Sequence, residues 1–428
     1  MSSKSKATVT TEDEKLAPVP RLRFPEFQNA EGWDTGKLGD VADFVNEKVP
    51  LERVTLESYV STENILPDYG GVTRASKLPN TESVTRYRPD DTLVSNIRPY
   101  LKKVWVADKE GGASNDVIVI RAKQRLVAKY LSCMLKNDAF INFVMTGAKG
   151  VKMPRGDIAS MKAYPTLYPS KPEQQKIANC LTSLDEVIAA QRQKLDALKT
   201  HKKGLMQQLF PREGETLPRL RFPEFQDAPA WEYAPLGNLL MSPPDYGVNA
   251  AAVPFSERLP KYLRITDISE DGLYLSDKRV SVDLEPQAGN YLDDGDIVLA
   301  RTGASVGKSY RYQKEDGKFV FAGFLIRVKP NRKRLVSTYL ANFLTTIQFW
   351  KWVAITSARS GQPGINSTEY SSLAIPLPPD LPEQQRIAEC LTFLDDLITA
   401  QGDKLEALKT HKKGLMQQLF PSPEEFEA

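Results

Sequence analysis

The sequence predicts an α/β fold made of two similar domains and two long helices. Three observations support this class. A forty-residue helical segment occurs twice, 210 positions apart, and a short lead-in segment also occurs twice. Between these repeats lie β-branched and aromatic segments broken by Gly, Pro, Asn and Asp. We therefore expect two similar α/β domains joined by an antiparallel coiled coil, with pseudo-two-fold symmetry.

The helical repeat spans Pro172–Pro211 and Pro382–Pro421, and thirty-one of its forty residues are identical. Seam residues in both copies follow one another at alternating intervals of four and three positions, which is typical of a coiled coil. This seam contains Ile177, Leu181, Leu184, Ile188, Gln191, Leu195 and Leu198 in the first copy, and Ile387, Leu391, Leu394, Ile398, Gln401, Leu405 and Leu408 in the second. A seam that is identical in both copies predicts that the two helices pair with each other.

The ends of the helices are also marked in the sequence. Ser170 and Asp380, each followed by Glu three positions later, predict capping boxes, and Pro211 and Pro421 predict the ends. Such a helix extends roughly 57 Å, long enough to hold two domains apart. A heptad seam alone also fits helices from separate chains, but two matched copies in one chain favour an intramolecular antiparallel pair.

Each predicted domain begins with the lead-in repeat, Pro20–Asp34 in the first and Pro218–Glu232 in the second. Weaker similarities link the domains themselves: Arg125–Leu131 matches Arg334–Leu340, and Asp91–Asn96 matches Asp296–Arg301. The predicted segments are a disordered tail (1–20), the first domain with its lead-in (21–168), a central helix (169–211), the second domain with its lead-in (212–379), a C-terminal helix (380–421) and an acidic tail (422–428).

Composition excludes several classes of protein. The chain has 428 residues, of which 41% are hydrophobic and 26% charged, and it has no apolar run long enough for a membrane helix. The first residues lack the apolar core of a signal peptide, so we expect a cytoplasmic protein. Three cysteines without paired spacing and two histidines, both on the helical repeats, argue against a disulfide framework, a zinc site or a Ser-His-Asp site.

Basic residues are concentrated in one stretch of each half. Residues 74–103 contain seven basic and three acidic residues, and residues 301–334 contain ten and two. Such stretches are typical of nucleic-acid contact, although a solvated basic surface without a partner has the same composition. Each half has two loops that are candidates for nucleic-acid contact. One follows a predicted buried strand, and the other follows a predicted helix.

Sixteen residues of these loops are candidate DNA contacts. In the first half they are Asn96, Arg98, Tyr100, Lys102, Lys103, Lys149, Lys152 and Arg155, and in the second half Arg301, Thr302, Ser305, Lys308, Tyr310, Arg359, Gln362 and Asn366. Arginine can contact guanine with two hydrogen bonds, asparagine can do so with adenine, and small residues let the backbone approach a phosphate. For any single residue, an ordinary polar turn is an equally good interpretation.

Two segments resemble catalytic motifs but differ from them at essential positions. Gly303–Ser309 has three residues between its glycines, where a phosphate-binding P-loop has four. Ser242–Asp245 has Asp where the motif of amino-methyltransferases has an aromatic residue that stacks on the flipped base. No glycine-rich turn for S-adenosylmethionine is present. The sequence therefore predicts no catalytic site and no metal site.

The two PEQQ-x-IA helix starts, the two HKKGLMQQLF helix ends, the RTGASVGK loop and the alternation of divergent and repeated regions occur together. In this combination the chain resembles the specificity subunit of Type I restriction-modification enzymes. The resemblance implies two target recognition domains that each recognise half of a split site in double-stranded DNA, with the helices as a spacer. It also implies a noncatalytic subunit that binds no cofactor, two methyltransferase subunits that carry S-adenosylmethionine, and restriction subunits.

Two other functions fit parts of the sequence. One is a DNA-modifying enzyme whose active site has an unfamiliar motif, and the other is a coiled-coil assembly scaffold with incidental basic stretches. Methylation of DNA by the chain alone would indicate the first of these alternatives. Absence of any DNA sequence preference in the assembled complex would indicate the second.

Overall fold

The computed structural model describes residues 19–150, 152–285, 287–358 and 361–421. The predicted acidic tail and all but the last two residues of the predicted N-terminal tail lie outside the described residues. Among the residues described, no helix combines the length and the apolar character needed to cross a membrane.

Nine α-helices and twenty β-strands occur within these described ranges. The helices are α1 (Leu38–Val41), α2 (Ala128–Leu135), α3 (Asp138–Thr146), α4 (Ile158–Lys162), α5 (Lys171–Leu209), α6 (Ser337–Phe343), α7 (Ile347–Thr356), α8 (Ser367–Ser371) and α9 (Leu381–Leu419). The first ten strands are β1 (Asp34–Lys37), β2 (Ala42–Phe44), β3 (Lys48–Pro50), β4 (Tyr59–Val60), β5 (Ser83–Tyr87), β6 (Thr92–Ser95), β7 (Val104–Val106), β8 (Gly111–Ala113), β9 (Val117–Ala122) and β10 (Pro165–Tyr168). The remaining strands are β11 (Glu232–Pro235), β12 (Asp245–Tyr246), β13 (Ala252–Pro254), β14 (Lys261–Leu263), β15 (Val280–Val282), β16 (Ile297–Ala300), β17 (Ser309–Arg311), β18 (Phe319–Phe321), β19 (Leu325–Val328) and β20 (Ala374–Leu377).

The chain forms two compact units. Unit 1 contains the residues up to Arg192 and those from Lys404 onward, and unit 2 contains Gln193–Asp403. Each long helix is therefore divided between the units, because each unit contains the first part of one long helix and the last part of the other. The predicted domain boundaries, which end each domain before its helix, differ from this division and stay predictions.

Both units combine helices with small sheets, which confirms the predicted α/β class. Unit 1 has a two-stranded sheet, β1-β10, and two four-stranded sheets, β2-β9-β6-β7 and β3-β5-β8-β4. Unit 2 has the matching sheets β11-β20, β12-β19-β16-β17 and β13-β15-β14-β18. Pairing is antiparallel except between β4 and β8 and between β14 and β18. The sheets β3-β5-β8-β4 and β13-β15-β14-β18 differ in strand order, since β5 pairs with β8 whereas β15 pairs with β14.

The central strands β6 and β16 are buried along their whole length. Each pairs on both sides with antiparallel strands, and the helices of its unit cover one face of the sheet with the main apolar cluster. Burial on both faces explains why β16 is a continuous apolar run rather than an alternating one. In β6 the buried apolar residues Leu93 and Val94 lie between buried Thr92 and Ser95. As a result, the residue after each strand, Asn96 or Arg301, is held at a fixed place on its unit.

In unit 1 the beginning of α5 packs antiparallel to the end of α9. Ile177 and Leu181 of α5 share an apolar cluster with Met416 and Leu419 of α9. Farther along, the Asp185 carboxylate pairs with Lys412 Nζ at 2.5 Å. Position 185 therefore lies beside 412, and the start of α5 lies beside the last turn of α9.

Unit 2 contains the equivalent pairing. Met206 and Leu209 of α5 share a cluster with Ile387 and Leu391 of α9, and Lys202 Nζ binds both carboxylate oxygens of Asp395, at 2.6 and 2.7 Å. Lys202 and Lys412 are equivalent residues of the helical repeat. All fourteen predicted seam residues are buried or half-buried, and the antiparallel arrangement within each unit confirms the predicted coiled coil.

The glutamates of the two PEQQ motifs do not form the predicted capping boxes, and instead bind the lead-in repeats. Glu173 accepts hydrogen bonds from Arg23 Nε at 2.8 Å and Nη2 at 2.7 Å, and the two side chains are 1% and 7% exposed. In unit 2, Glu383 and Arg221 form the same two-bond pair at 2.7 and 2.8 Å. A bidentate guanidinium is a stronger donor to a buried carboxylate than a single backbone N–H. This explains why the two glutamates bind arginine instead of capping the helices.

The first glutamine of each PEQQ motif holds the domain helix that follows the central sheet. Gln174 accepts from the backbone N–H of Val127, just before α2, and donates to the carbonyl of Arg125. Gln384 makes the same two bonds with Val336 and Arg334, just before α6. In each unit the repeated sequence thus fixes the lead-in, the long helix and the domain helix together.

Candidate nucleic-acid interface

Two loops meet at one edge of each unit. We call residues 96–103 and 301–309 the strand loops, because they follow β6 and β16, and residues 147–156 and 357–366 the helix loops, because they follow α3 and α7. All candidate DNA contacts except Tyr310, which lies one position beyond, belong to these loops. Their backbones are hydrogen-bonded to each other within each unit.

In unit 1 the Asn96 N–H donates to the carbonyl of Asp116, and the Asn96 carbonyl accepts from the Gly156 N–H. Two positions later, the Arg98 N–H donates to the carbonyl of Pro154 at 2.8 Å. The strand loop is thus fixed to the end of the helix loop on one side and to the β8–β9 connection on the other.

In unit 2 the same bonds recur with different residues. The Arg301 N–H donates to the carbonyl of Phe324, and the Arg301 carbonyl accepts from the Ile365 N–H. The Gly303 N–H donates to the carbonyl of Pro363 at 3.0 Å. Asn96 therefore corresponds to Arg301, Arg98 to Gly303, and Asp116 to Phe324.

This shared backbone frame places two residues of each strand loop in the left-handed region. In unit 2 both are glycines, Gly303 with φ +71° and Gly307 with φ +88°. In unit 1 the corresponding residues are Arg98 and Lys102, both with φ +52°. Non-glycine residues in this region carry backbone strain of about 1 kcal/mol or more. Unit 1 thus keeps two basic side chains where the frame favours glycine.

The side chains presented by unit 1 are mostly basic. Arg98, Tyr100, Lys149, Lys152 and Arg155 are exposed. Arg155 pairs with the Asp116 carboxylate at 2.5 Å. Arg98 forms no ion pair with a carboxylate of the described residues, so its guanidinium is available to a phosphate or a base edge.

The other two lysines of this strand loop have partners within unit 1. Lys103 Nζ donates to the carbonyl of Thr62 at 2.6 Å. Lys102 pairs with Asp138, the first residue of α3, which also pairs with Lys413 of α9. Burial alone would raise the pKa of the Asp138 carboxyl, but the hydrogen bonds and charges of the two lysines outweigh it and lower the pKa. Asp138 therefore links the strand loop to the coiled coil.

In unit 2 the prominent cation is Arg301, whose side chain is half-buried. Its guanidinium carbon lies 4.9 Å from the centroid of the Tyr246 ring, a cation–π distance. Within the described part of the chain no carboxylate pairs with Arg301. Thr302, Ser305 and Lys308 of the same strand loop are half-buried, and Gln362 is exposed on the helix loop.

Three of the predicted contacts occupy positions that argue against direct contact with DNA. Tyr310 is 2% exposed, lies in an apolar cluster and donates its hydroxyl to Asp316. Asn96 is 7% exposed, although its amide oxygen has no hydrogen-bond partner within the described structure. Asn366 is exposed but caps α8, accepting from the Glu369 N–H at 2.8 Å. Burial makes Tyr310 and Asn96 poorly placed for a direct contact with DNA, and the contact set as a whole stays a prediction. Arg359 lies outside the described residues.

The sequence did not identify several residues that lie next to the candidate contacts. Tyr246 directly follows the segment that resembled a methyltransferase motif, and nothing in its local sequence indicated proximity to Arg301. Phe324 is 57% exposed beside Arg301, and its counterpart Asp116 pairs with Arg155. These neighbours are separated along the chain by 23 positions or more, so local patterns could not identify them.

The structure also explains why the RTGASVGK loop is not a P-loop. Gly303–Ser305 forms a short 3-10 turn, and the chain continues directly into strand β17, which pairs antiparallel with β16. A P-loop instead leads into a helix whose N-terminus binds the phosphates. The segment that partly matches the P-loop pattern in sequence therefore has a different local structure.

Comparisons with known proteins agree with this architecture. The model of the Type I restriction modification DNA specificity domain matches residues 30–200 and 256–410. The MjaVIII specificity subunit of a Type I restriction enzyme from Methanocaldococcus jannaschii is 24% identical over 432 residues, covering 95% of each chain.

Two solved structures have a similar fold. The S subunit of the Type I restriction-modification system from M. genitalium has a TM-score of 0.61 at 16% identity, covering 94% of this chain and 99% of that chain. A chain from a structural study of complex assembly and conformational transition of the type I R-M system has a TM-score of 0.55 at 20% identity, covering 91% and 97%. The family model covers most of both halves, including the elements that precede the loops, which are β6, α3, β16 and α7. The chain therefore belongs to the Type I restriction modification DNA specificity domain family.

Proposed function

We propose that this chain is the DNA-recognition subunit of a Type I restriction-modification complex. Each unit presents one target recognition domain, and each domain recognises one half of a bipartite, asymmetric DNA site. The exposed and unpaired side chains of the strand and helix loops contact bases and phosphates. Arg98 in unit 1 and Arg301 in unit 2 are the main candidates for base contact, because arginine can form two hydrogen bonds with guanine in the major groove.

One observation carries this proposal: the two units share a backbone frame but not its side chains. Equivalent hydrogen bonds hold Asn96 and Arg301, while the exposed positions around them differ in charge, size and polarity. If the loops served only folding in both units, these differences at exposed loop positions would not be needed. Recognition of two different half-sequences does, because side chains distinguish bases whereas the frame sets their position.

The same proposal assigns the chemistry to other subunits. The repeated lead-ins and long helices serve as docking sites for two methyltransferase subunits, which bind S-adenosylmethionine, and restriction subunits join that complex. The chain itself is noncatalytic, binds no cofactor and acts in the cytoplasm. The similarity of the helix and lead-in repeats in both halves supports two equivalent docking sites.

Methylation of DNA tests the proposal directly. We expect the purified chain to methylate no DNA, and the chain assembled with its methyltransferase subunits to methylate a single bipartite sequence. Exchange of residues 33–168 for the corresponding domain of a relative should change one half-sequence and leave the other half and the spacing unchanged. Methylation by the chain alone would support a DNA-modifying enzyme, and a complex without sequence preference would support an assembly scaffold.

A second experiment uses the strained position of Arg98. Arg98→Gly restores the residue that unit 2 has at this place, so we expect the chain to remain at least as stable as the original, with relaxed base preference in one half-site. Loss of a bidentate base contact corresponds to about 1–3 kcal/mol. Selection of preferred sites from random DNA by the assembled complex measures the preference, and thermal unfolding measures stability.

Asp90→Gly is the matched control for this variant. Asp90 is exposed in the turn before β6 and also has a positive φ, +70°. This change relieves a similar backbone strain without removing a loop cation, so both half-sites should stay unchanged. If Arg98→Gly also leaves both half-sites unchanged, Arg98 is not a base contact.

A further inference from the structure

Tyr246 links the strand loop of unit 2 to Ser367, the residue that follows the helix loop. Its ring lies under the guanidinium of Arg301 on the strand loop, 4.9 Å from the ring centroid to the guanidinium carbon. Its hydroxyl donates to Ser367 Oγ and accepts from the Ser367 N–H, both at 3.1 Å. Ser367 directly follows the helix loop. A single side chain therefore contacts the strand loop and the residue that follows the helix loop, from a position 121 residues before Ser367.

The backbone of Arg301 is already fixed, since its N–H and carbonyl bind Phe324 and Ile365. Its side chain, however, has several rotatable bonds, and a free arginine loses rotamer entropy when it binds a base. The Tyr246 ring restricts this freedom before DNA arrives. The N–H groups of a guanidinium lie in its own plane, so a guanidinium that stacks on an aromatic face can still donate hydrogen bonds to a partner.

The exposure of the pair fits a role at a surface rather than in the core. Tyr246 is 42% exposed although both its ring and its hydroxyl have partners. In contrast, the Arg327 guanidinium over the Phe321 ring is buried and already pairs with the carboxylates of Asp245 and Asp296. Only the first of these two pairs leaves a cation free for an external ligand.

We propose that Tyr246 is a positioning residue for DNA recognition, which holds Arg301 in the orientation that contacts a base of the half-site recognised by unit 2. This inference rests on the proposed function of the strand loops. It assigns to Tyr246 no contact with DNA of its own, and it predicts that loss of the ring weakens discrimination only at the base pairs that Arg301 recognises.

The test compares site selection from random DNA by complexes assembled with different variants of the full chain. Arg301→Ala first identifies the base pairs that depend on Arg301. Tyr246→Leu should then relax preference at those same base pairs by about two- to five-fold, the ratio that corresponds to an exposed cation–π contact. Tyr246→Phe and Tyr246→Trp keep a ring under the guanidinium and should retain the preference. The double variant Tyr246→Leu/Arg301→Ala should be no more relaxed than Arg301→Ala.

A matched control is available in the same unit. The Arg279 guanidinium carbon lies 4.5 Å from the Phe255 ring centroid, away from both loops in sequence. Phe255→Leu removes a similar cation–π contact and should leave both half-sites unchanged. Tyr246→Val provides a second ringless variant, suited to a strand, if the leucine variant fails to fold.

Two results would overturn the inference in different ways. If Arg301→Ala relaxes one half-site while both ringless variants keep the original preference, Tyr246 does not position Arg301, and the proposed function stands. If Arg301→Ala weakens binding equally for all sequences or has no effect, Arg301 is not a base contact, and the inference about Tyr246 is wrong together with that part of the proposed function.

Discussion

Insertion of seven residues into both long helices is expected to lengthen the unspecified spacer of the DNA site by about three base pairs. We place the insertions after Arg192 and after Asp403, where the compact units divide α5 and α9. A heptad keeps every seam residue facing its partner and adds roughly 10 Å of helix. At about 3.4 Å per base pair this corresponds to three pairs.

The same insertion rotates one half-site by about 100° around the duplex, taking about 10.5 base pairs per turn. Affinity can therefore fall unless the DNA twists or bends, so preferred spacing rather than affinity is the measurement. Site selection from random DNA by the assembled complex gives that spacing. A control with the heptad in α5 alone should prevent the Lys202–Asp395 and Asp185–Lys412 pairs from forming together. If the double insertion folds and still selects the original spacing, these helices do not set the distance.

Removal of the Arg23 guanidinium is expected to destabilise unit 1 by about 3–5 kcal/mol, the usual cost of leaving a buried charge without its partner. The Glu173 carboxylate is 1% exposed and is bound by two guanidinium N–H groups. In Arg23→Met nothing replaces this charge. We expect lower stability of the full chain in urea and faster amide hydrogen exchange in residues 19–31, which are no longer held to α5.

The double variant Arg23→Met/Glu173→Met should recover most of the lost stability, because an apolar pair of similar volume avoids the buried charge. Lys176→Met is the matched control. Lys176 pairs with Glu26 of the same lead-in at 2.8 Å, but both side chains are nearly half exposed, and exposed pairs contribute about 1 kcal/mol or less. Equal effects of Arg23→Met and Lys176→Met would show that burial of the Arg23–Glu173 pair does not determine its contribution.

Comparison of the predicted and observed fold shows which features are local in the sequence. The long helices, their seam and the two lead-ins depend on residues three, four or a few positions apart, so their periodicity and repetition identified them correctly. The identity of the two seams predicted that the helices pair with each other, and the family resemblance predicted the antiparallel direction. In contrast, Glu173 and Glu383 were assigned to capping boxes from the same local spacing, and the structure pairs them with arginines 150 and 162 positions away.

The sequence alone thus determined the fold class, the division into two similar halves and the family resemblance, because repeats and heptad spacing are encoded in neighbouring residues. Tertiary structure alone decided which of the candidate loop residues are exposed. Tyr310 and Asn96 had suitable chemistry but are buried by packing, while Tyr246 became part of the Arg301 site through strand pairing and its bonds to Ser367. Exposure and long-range contact depend on how distant segments pack, and a local pattern carries no information on that packing.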